Sequence, residues 1–131
     1  MDQFLSSISR MREGTRRRCS SYDRTGGNRD YLVLAPGQNR CFCELEGAGK
    51  VTHIWMTVAP NCPEDREYLM RRLVLRMYWD GEEAPSVEAP LGDFFGLGHG
   101  ITKNYTSAAL MMSPEDGRAL NCFFPMPFCG G

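Results

Sequence analysis

The spacing of apolar residues changes along the chain from a helical to an alternating pattern. Residues 2–13 place their apolar side chains three and four positions apart, at Phe4, Leu5, Ile8 and Met11. This spacing predicts one short amphipathic helix. A basic run follows at residues 10–18, and then a polar, glycine-rich stretch at residues 20–30 that is typical of a loop.

From residue 31 onwards the pattern favours β-strands. Short runs of β-branched and aromatic residues, which suit a pleated surface, are bounded by turn dipeptides such as Pro36-Gly37 and Asp80-Gly81. The predicted strands cover residues 31–34, 41–45, 51–58, 73–79, 105–111 and 119–124. The prolines of residues 85–90 confine that segment to a sheet edge, and a long glycine-rich loop is predicted at 91–100. Without a βαβ alternation, these elements predict an all-β sandwich or jelly roll with a short N-terminal helix.

Composition and charge exclude several classes of protein. The 131 residues are 42% hydrophobic and 24% charged, which excludes a disordered tail, a collagen-like repeat and a coiled coil. The formal net charge of -1 provides no general attraction to nucleic acid or to a membrane surface, and neither partner is predicted. No apolar run approaches the roughly 20 residues of a membrane span. Since Met1-Asp2-Gln3 does not resemble a secretory signal, we expect a cytoplasmic protein.

The basic run at residues 10–18 leaves nucleic-acid binding as the weakest alternative function. A simpler explanation is that the run is the solvated end of the predicted helix, where positive charges compensate the helix dipole. A strong salt dependence of binding would support the nucleic-acid alternative.

Six cysteines are many for a chain of this length, and an even number permits three disulfides. Without an export signal, we expect reduced thiols that pack as small apolar side chains. No pair of cysteines has the spacing of a zinc site, so no metal is predicted.

Two loops carry the side chains that suit a sugar site. The loop at residues 22–30 holds Asp23, Asn28 and Asp30, and the segment at residues 80–100 holds several acidic residues together with Asp93 and Phe94. Carboxylates bind sugar hydroxyls or act as acid and base, while aromatic rings cover the apolar face of a sugar. The competing interpretation is that these aspartates cap turns and bind backbone N–H groups.

The remaining candidate residues support neither a cofactor nor a catalytic triad. Gly96–Gly100 resembles a phosphate loop but lacks a βαβ frame and a following helix, so we predict no cofactor. His53 and His99 have no ligand partner at metal-binding spacing. Trp55 follows His53 on the same strand face and is a candidate ligand platform, although a core position is the simpler interpretation. No serine or threonine of residues 20–25 has a nearby histidine, so a nucleophilic triad is not supported.

Five motifs occur in one order along the chain and resemble a known family. They are SSYDRTGGNRD at 20–30, HIW at 53–55, YWDG at 78–81, PSVEAPLGDFFG at 85–96 and NCFFPMPF at 121–128. Together they resemble the family long labelled domain of unknown function 2961, now tied to glycoside hydrolase family 172. The resemblance runs from about residue 17 to the last residue. It implies that residues 1–16 form a helix and a basic segment. It also implies that residues 17–131 form an N-terminal jelly roll that is truncated at its C-terminus relative to the family.

The resemblance implies the first jelly roll of a double jelly roll, assembled as a homo-oligomer, a trimer or a multiple of it. It also implies retaining hydrolysis of fructofuranosides, arabinofuranosides or difructose dianhydrides at a subunit contact. Family members continue beyond the last motif and carry their two catalytic glutamates there, so no catalytic residue is expected in this chain. The resemblance assigns substrate binding to Asp23, Asn28, Asp30, Trp55, Asp93 and Phe94.

The alternative function is that of a stand-alone jelly roll for self-assembly or for carbohydrate binding without catalysis. Jelly rolls form shells and lectins as readily as enzymes, so the fold does not decide between these functions. The apolar run Phe123–Phe128 near the end of the chain is a candidate surface for such assembly.

Overall fold

The structure is a computed structural model that describes the backbone of residues 3–131 and the side chains from Ser6 onwards. The chain forms two compact units, Met1–Glu44 and Leu45–Gly131. The division implied by the resemblance, between residues 16 and 17, stays a prediction.

The first unit contains little regular structure in its described part. Helix α1 spans Gln3–Ile8, shorter than the predicted 2–13, and the predicted apolar positions Phe4 and Leu5 lie outside the described side chains. The strands predicted at 31–34 and 41–45 are absent. A strand needs a hydrogen-bonded neighbour and one buried face. The side chains of residues 31–34 are instead 43–64% exposed.

The second unit contains eight short strands in three antiparallel sheets. Strands β1 and β8 form one pair, β3 and β4 form another, and the third sheet has the order β2-β7-β6-β5. The strands are β1 (Gly49–Val51), β2 (Ile54–Met56), β3 (Val74–Met77), β4 (Val87–Pro90), β5 (Tyr105–Thr106), β6 (Leu110–Met112), β7 (Leu120–Cys122) and β8 (Met126–Phe128).

The four-stranded sheet has one face in the core, and its other face carries the exposed Trp55 beside the buried polar Asn121. Since side chains alternate along a strand, Ile54 and Met56 of β2 share the inner face with Leu120 and Cys122 of β7. Trp55 lies between Ile54 and Met56 and therefore points to the opposite face. The core consists of Met70, Leu75, Leu91, Phe95, Leu97, Met112, Leu120 and Cys122.

The segment predicted as a glycine-rich loop at 91–100 is instead part of the core. It forms helix α3 (Leu91–Phe94) and a 3-10 turn (Gly98–Gly100), and it contacts helix α2 (Leu69–Arg72). A further 3-10 turn spans Pro63–Asp65. The glycines favour a loop, but the side chains of Leu91, Phe95 and Leu97 are almost completely buried, and this apolar burial stabilises the packed conformation.

The predicted all-β class is confirmed, since antiparallel sheets with few short helices are consistent with a β-sandwich. The jelly-roll connection stays a prediction. Among the described helices, none is long and apolar enough to cross a membrane.

The prediction that the cysteines pack as apolar side chains holds for one of the six. Cys122 is buried in the core, whereas Cys19, Cys41, Cys43, Cys62 and Cys129 are exposed, and all six are free thiols. Burial raises the pKa of the Cys122 thiol above its ordinary value. Partial desolvation of the Cys43 thiol and its hydrogen bond with Cys19 raise the pKa of Cys43 to about 12. These shifts hold both thiols in the protonated form.

Candidate functional site

The loop at residues 22–30 is organised by the carboxylate of Asp23. Its Oδ1 accepts hydrogen bonds from the backbone N–H of Thr25 at 2.9 Å and from the Thr25 hydroxyl at 2.7 Å. Its Oδ2 accepts one from the backbone N–H of Arg29 at 3.2 Å. These bonds, with the Thr25 hydroxyl contributing most, lower the pKa of Asp23. Asp23 therefore stays ionised and holds the loop closed.

Asp30 and Asn28 belong to the same closed loop. The Oδ1 of Asp30 accepts a hydrogen bond from the backbone N–H of Asp23 at 2.7 Å, so the two predicted aspartates are adjacent. Asn28 has a φ of 59°, in the left-handed region that asparagine tolerates. At Gly27 a Cβ would stand 2.8 Å from the Oδ2 of Asp23, which explains the glycine. The structure thus unites Asp23, Asn28 and Asp30 in the arrangement that the turn-capping interpretation describes.

Asp93 and Phe94 lie on helix α3 of the second unit. The carboxylate of Asp93 forms an ion pair with the guanidinium of Arg71 at the surface. Phe94 is half-buried and packs edge-to-face on the buried Phe95, with ring centroids 5.0 Å apart and an interplanar angle of 81°. Asp93 and Phe94 therefore both have structural contacts. Neither of them lines the pocket that Trp55 forms on the four-stranded sheet.

Trp55 is an exposed aromatic platform on the outer face of the four-stranded sheet. Its side chain is 60% exposed, so the core interpretation is wrong and the platform geometry is present. It lines a shallow pocket of about 250 Å³. The other lining residues are Thr57, Pro114, Glu115, Arg118 and Ala119. This pocket combines an indole face, a hydroxyl, a carboxylate and a guanidinium.

A strained turn supplies the charged edge of this pocket. Glu115, Asp116 and Gly117 have consecutive φ values of 52°, 55° and 82°. The turn is held by a hydrogen bond from the backbone N–H of Gly117 to the Oδ1 of Asn104 at 2.8 Å. Arg118 donates to the Oε2 of Glu115 at 2.7 Å, so the turn presents an ion pair to the pocket. Strain of this kind concentrates at functional sites.

Glu115 and Arg118 could not be recognised as site residues from the sequence, because residues 113–117 predict only a turn between strands. One sequence signal could have indicated these residues. Turn-forming and charged residues are concentrated in the run Pro114-Glu115-Asp116-Gly117-Arg118. The register that places Trp55 beside this turn depends on the pairing of β2 with β7, which local sequence does not encode.

His53 has a structural environment next to this platform. Its Nε2 lies 3.1 Å from the Oδ1 of the buried Asn121, and its ring stacks on Phe123 with centroids 4.5 Å apart and planes 6° apart. His99 lies in the 3-10 turn with a φ of 60°. Within the described residues, no group of three His, Cys, Asp or Glu side chains is arranged to hold a metal ion.

The fold and the site define an antiparallel β protein that displays an aromatic platform beside an ion pair. A family model described as GH172 domain-like matches residues 27–130, most of the chain. The chain therefore belongs to the GH172 domain-like family, and the resemblance stated from its motifs is confirmed. The matched range includes Asn28, Asp30, Trp55, Asp93 and Phe94, and it begins four residues after Asp23. No curated protein matches the sequence.

Proposed function

We propose that this chain supplies substrate-binding residues of a retaining glycosidase that acts on furanosides, without supplying its two catalytic carboxylates. The observation that carries the proposal is the exposed indole of Trp55 beside Glu115 and Arg118. The glycoside-hydrolase-related family of the chain supports the same assignment.

The chemistry of the Trp55 pocket suits a small sugar ring. An indole face covers the apolar C–H face of a sugar, while Thr57, Glu115 and Arg118 offer partners for its hydroxyl groups. The volume of about 250 Å³ lies just below the range of roughly 300–1,000 Å³ for drug-sized ligands. A single furanose ring is therefore a better match than a long oligosaccharide.

The carboxylates with displaced pKa values do not resemble a general acid. Retaining hydrolysis needs one carboxyl group that stays protonated to donate to the leaving oxygen, so its pKa must be raised. The pKa values of Asp23 and Asp80 are instead lowered, by hydrogen bonds from Thr25 and from Gly130 respectively. We therefore propose that the nucleophile and the acid/base group are contributed from outside these residues.

The other predicted site residues receive supporting roles in this proposal. Asp23, Asn28 and Asp30 act in this proposal through the loop of the first unit that they hold closed. Phe94 braces the helix that carries Asp93. Asp93, which is held by its ion pair with Arg71, offers its carboxylate to a hydroxyl group.

Removal of the Trp55 indole tests this proposal. We expect the chain to bind sucrose or methyl arabinofuranoside without hydrolysing either. Trp55→Ala should weaken binding about tenfold, because stacking contributes on the order of 1–1.5 kcal/mol. Calorimetric titration measures the affinity, and Trp79→Phe is the matched control because Trp79 stacks on Phe128 away from the pocket.

Equal affinity of the wild-type chain and the Trp55→Ala variant, or no binding at all, would contradict the proposal. The second candidate, homo-oligomeric assembly, is supported by the exposure of Phe123 (44%) and Phe124 (50%). A defined oligomer in light scattering, together with no response to either sugar, would favour assembly over substrate binding.

A further inference from the structure

A second pocket adjoins the one at Trp55 and has a different chemical character. It has a volume of about 300 Å³ and lies between the segment after β2, helix α2 and the strained turn. Val58, Leu69 and Met70 provide apolar lining, and Thr102 provides a hydroxyl group. The guanidinium groups of Arg66 and Arg118 also line it.

The side chains that line this pocket carry one uncompensated positive charge. Arg118 is neutralised by its ion pair with Glu115 at 2.7 Å. The guanidinium of Arg66 makes no ion pair or side-chain hydrogen bond with any other residue in the described part of the chain. A guanidinium has five N–H donors in a fork that matches a carboxylate or a phosphate. An anionic group is therefore the complementary ligand.

The two pockets have two lining residues in common. Glu115 and Arg118 line both of them, so the strained turn forms their common boundary. A ligand that extends past this turn would meet both the Trp55 indole and the guanidinium of Arg66. A neutral sugar would satisfy the first pocket and leave Arg66 with water as its partner.

We propose that the pocket beside Arg66 binds the anionic group, phosphate or carboxylate, of a glycan whose furanose ring rests on Trp55. The inference depends on the proposed function for the sugar and names the further chemical class of its substrate. The turn at residues 115–117 then positions Arg118 to contact both parts of one ligand.

The test compares sugars that differ only in charge. Sucrose and sucrose phosphorylated on its fructosyl unit are titrated into the full chain as one pair. A glucose-bearing and a glucuronate-bearing arabinofuranoside of the same linkage form the second pair, which probes the carboxylate. We expect at least one anionic sugar to bind about five- to tenfold more tightly than its neutral counterpart at low salt, since a charge-assisted hydrogen bond at a solvent-exposed rim is partly screened. The anionic sugar with the larger gain in affinity shows whether the pocket prefers a phosphate or a carboxylate.

Substitution at Arg66 locates the effect. Arg66→Gln should remove the advantage of the anionic sugar and leave the affinity for sucrose unchanged. Arg16→Gln removes the same charge from an exposed position in the first unit and should leave both affinities unchanged.

The possible outcomes separate the inference from the proposed function. Equal binding of neutral and anionic sugars, with the Trp55 dependence intact, would overturn the inference and leave the proposed function standing. An advantage that survives Arg66→Gln would also overturn the inference. If none of the sugars binds, both the inference and the proposed function are overturned. If the binding depends on Arg66 but is unchanged in the Trp55→Ala variant, the anion pocket is supported and the proposed function is contradicted.

Discussion

At the scale of single residues, several carboxylates in this chain accept hydrogen bonds from backbone N–H groups, among them Asp23, Asp30 and Asp80. The Oδ1 of Asp80 accepts hydrogen bonds from the N–H groups of Cys129, Gly130 and Gly131 at 2.8, 2.6 and 3.3 Å. These bonds, that of Gly130 first, lower the pKa of Asp80. Such a carboxylate anchors a segment distant in sequence, in the same way that Asp23 closes its loop.

Asp80 should make the stability of the chain dependent on acid pH. Its pKa is lower in the folded state than the unperturbed value of 3.8, so its stabilisation is complete above about pH 4 and is lost as the pH falls through the folded-state pKa. We expect Asp80→Asn to reduce the free energy of unfolding at pH 7 and to make it less dependent on pH between about 5 and 3. Denaturant unfolding at several pH values measures both effects.

The matched control for Asp80 is Asp116→Asn, which removes a charge from an exposed residue that also has a positive φ, of 55°. This control should keep the pH dependence of the wild-type chain. Identical pH dependence in the Asp80→Asn variant and the wild-type chain would show that Asp80 does not anchor the segment 129–131.

At the scale of elements, the turn between β6 and β7 positions the site. Gly117 has a φ of 82°, and a Cβ added there would stand 2.6 Å from the carbonyl oxygen of Lys103. The turn therefore needs glycine for two reasons, its left-handed backbone and its close approach to another segment. Because Glu115 and Arg118 line both pockets, the shape of this turn sets the geometry of the proposed binding surface.

Gly117→Ala should destabilise the second unit and weaken sugar binding together. Gly81 has nearly the same φ, 81°, but nothing lies within 4 Å of a Cβ there, so Gly81→Ala isolates the cost of the backbone conformation alone. We expect Gly117→Ala to cost about 1–3 kcal/mol more than Gly81→Ala. Thermal or denaturant unfolding provides the comparison, and equal costs for the two variants would rule out the close approach to Lys103.

Elements were predictable from sequence where an apolar run and its hydrogen-bonded partner both lie in the second unit. The runs at 73–79 and 119–124 contain β3 and β7, and the run at 51–58 contains β2. Strand β8 was missed because Pro127 indicates a non-strand, yet β8 forms a two-stranded sheet, in which each strand has an unpaired edge that tolerates proline. The run at 31–34 has strand-like residues but no partner strand.

At the scale of the whole molecule, the family could be predicted from ordered motifs, but the site could not. Asp23, Asn28 and Asp30 lie close together in sequence, so their common loop could be predicted from the sequence alone. The Trp55 pocket instead joins residues from β2 to a turn about 60 positions later, through long-range strand pairing. No local pattern encodes that pairing.

The most direct test of the central claim is a titration of the two tryptophan indole N–H resonances by NMR. The chain contains two tryptophans, Trp55 at the pocket and Trp79 packed on Phe128, so each resonance reports one environment. Addition of sucrose or methyl arabinofuranoside should shift the Trp55 resonance in a saturable way and leave the Trp79 resonance in place. A stationary Trp55 resonance at saturating sugar, or a shift confined to Trp79, would contradict the assignment of Trp55 as the platform for a furanoside.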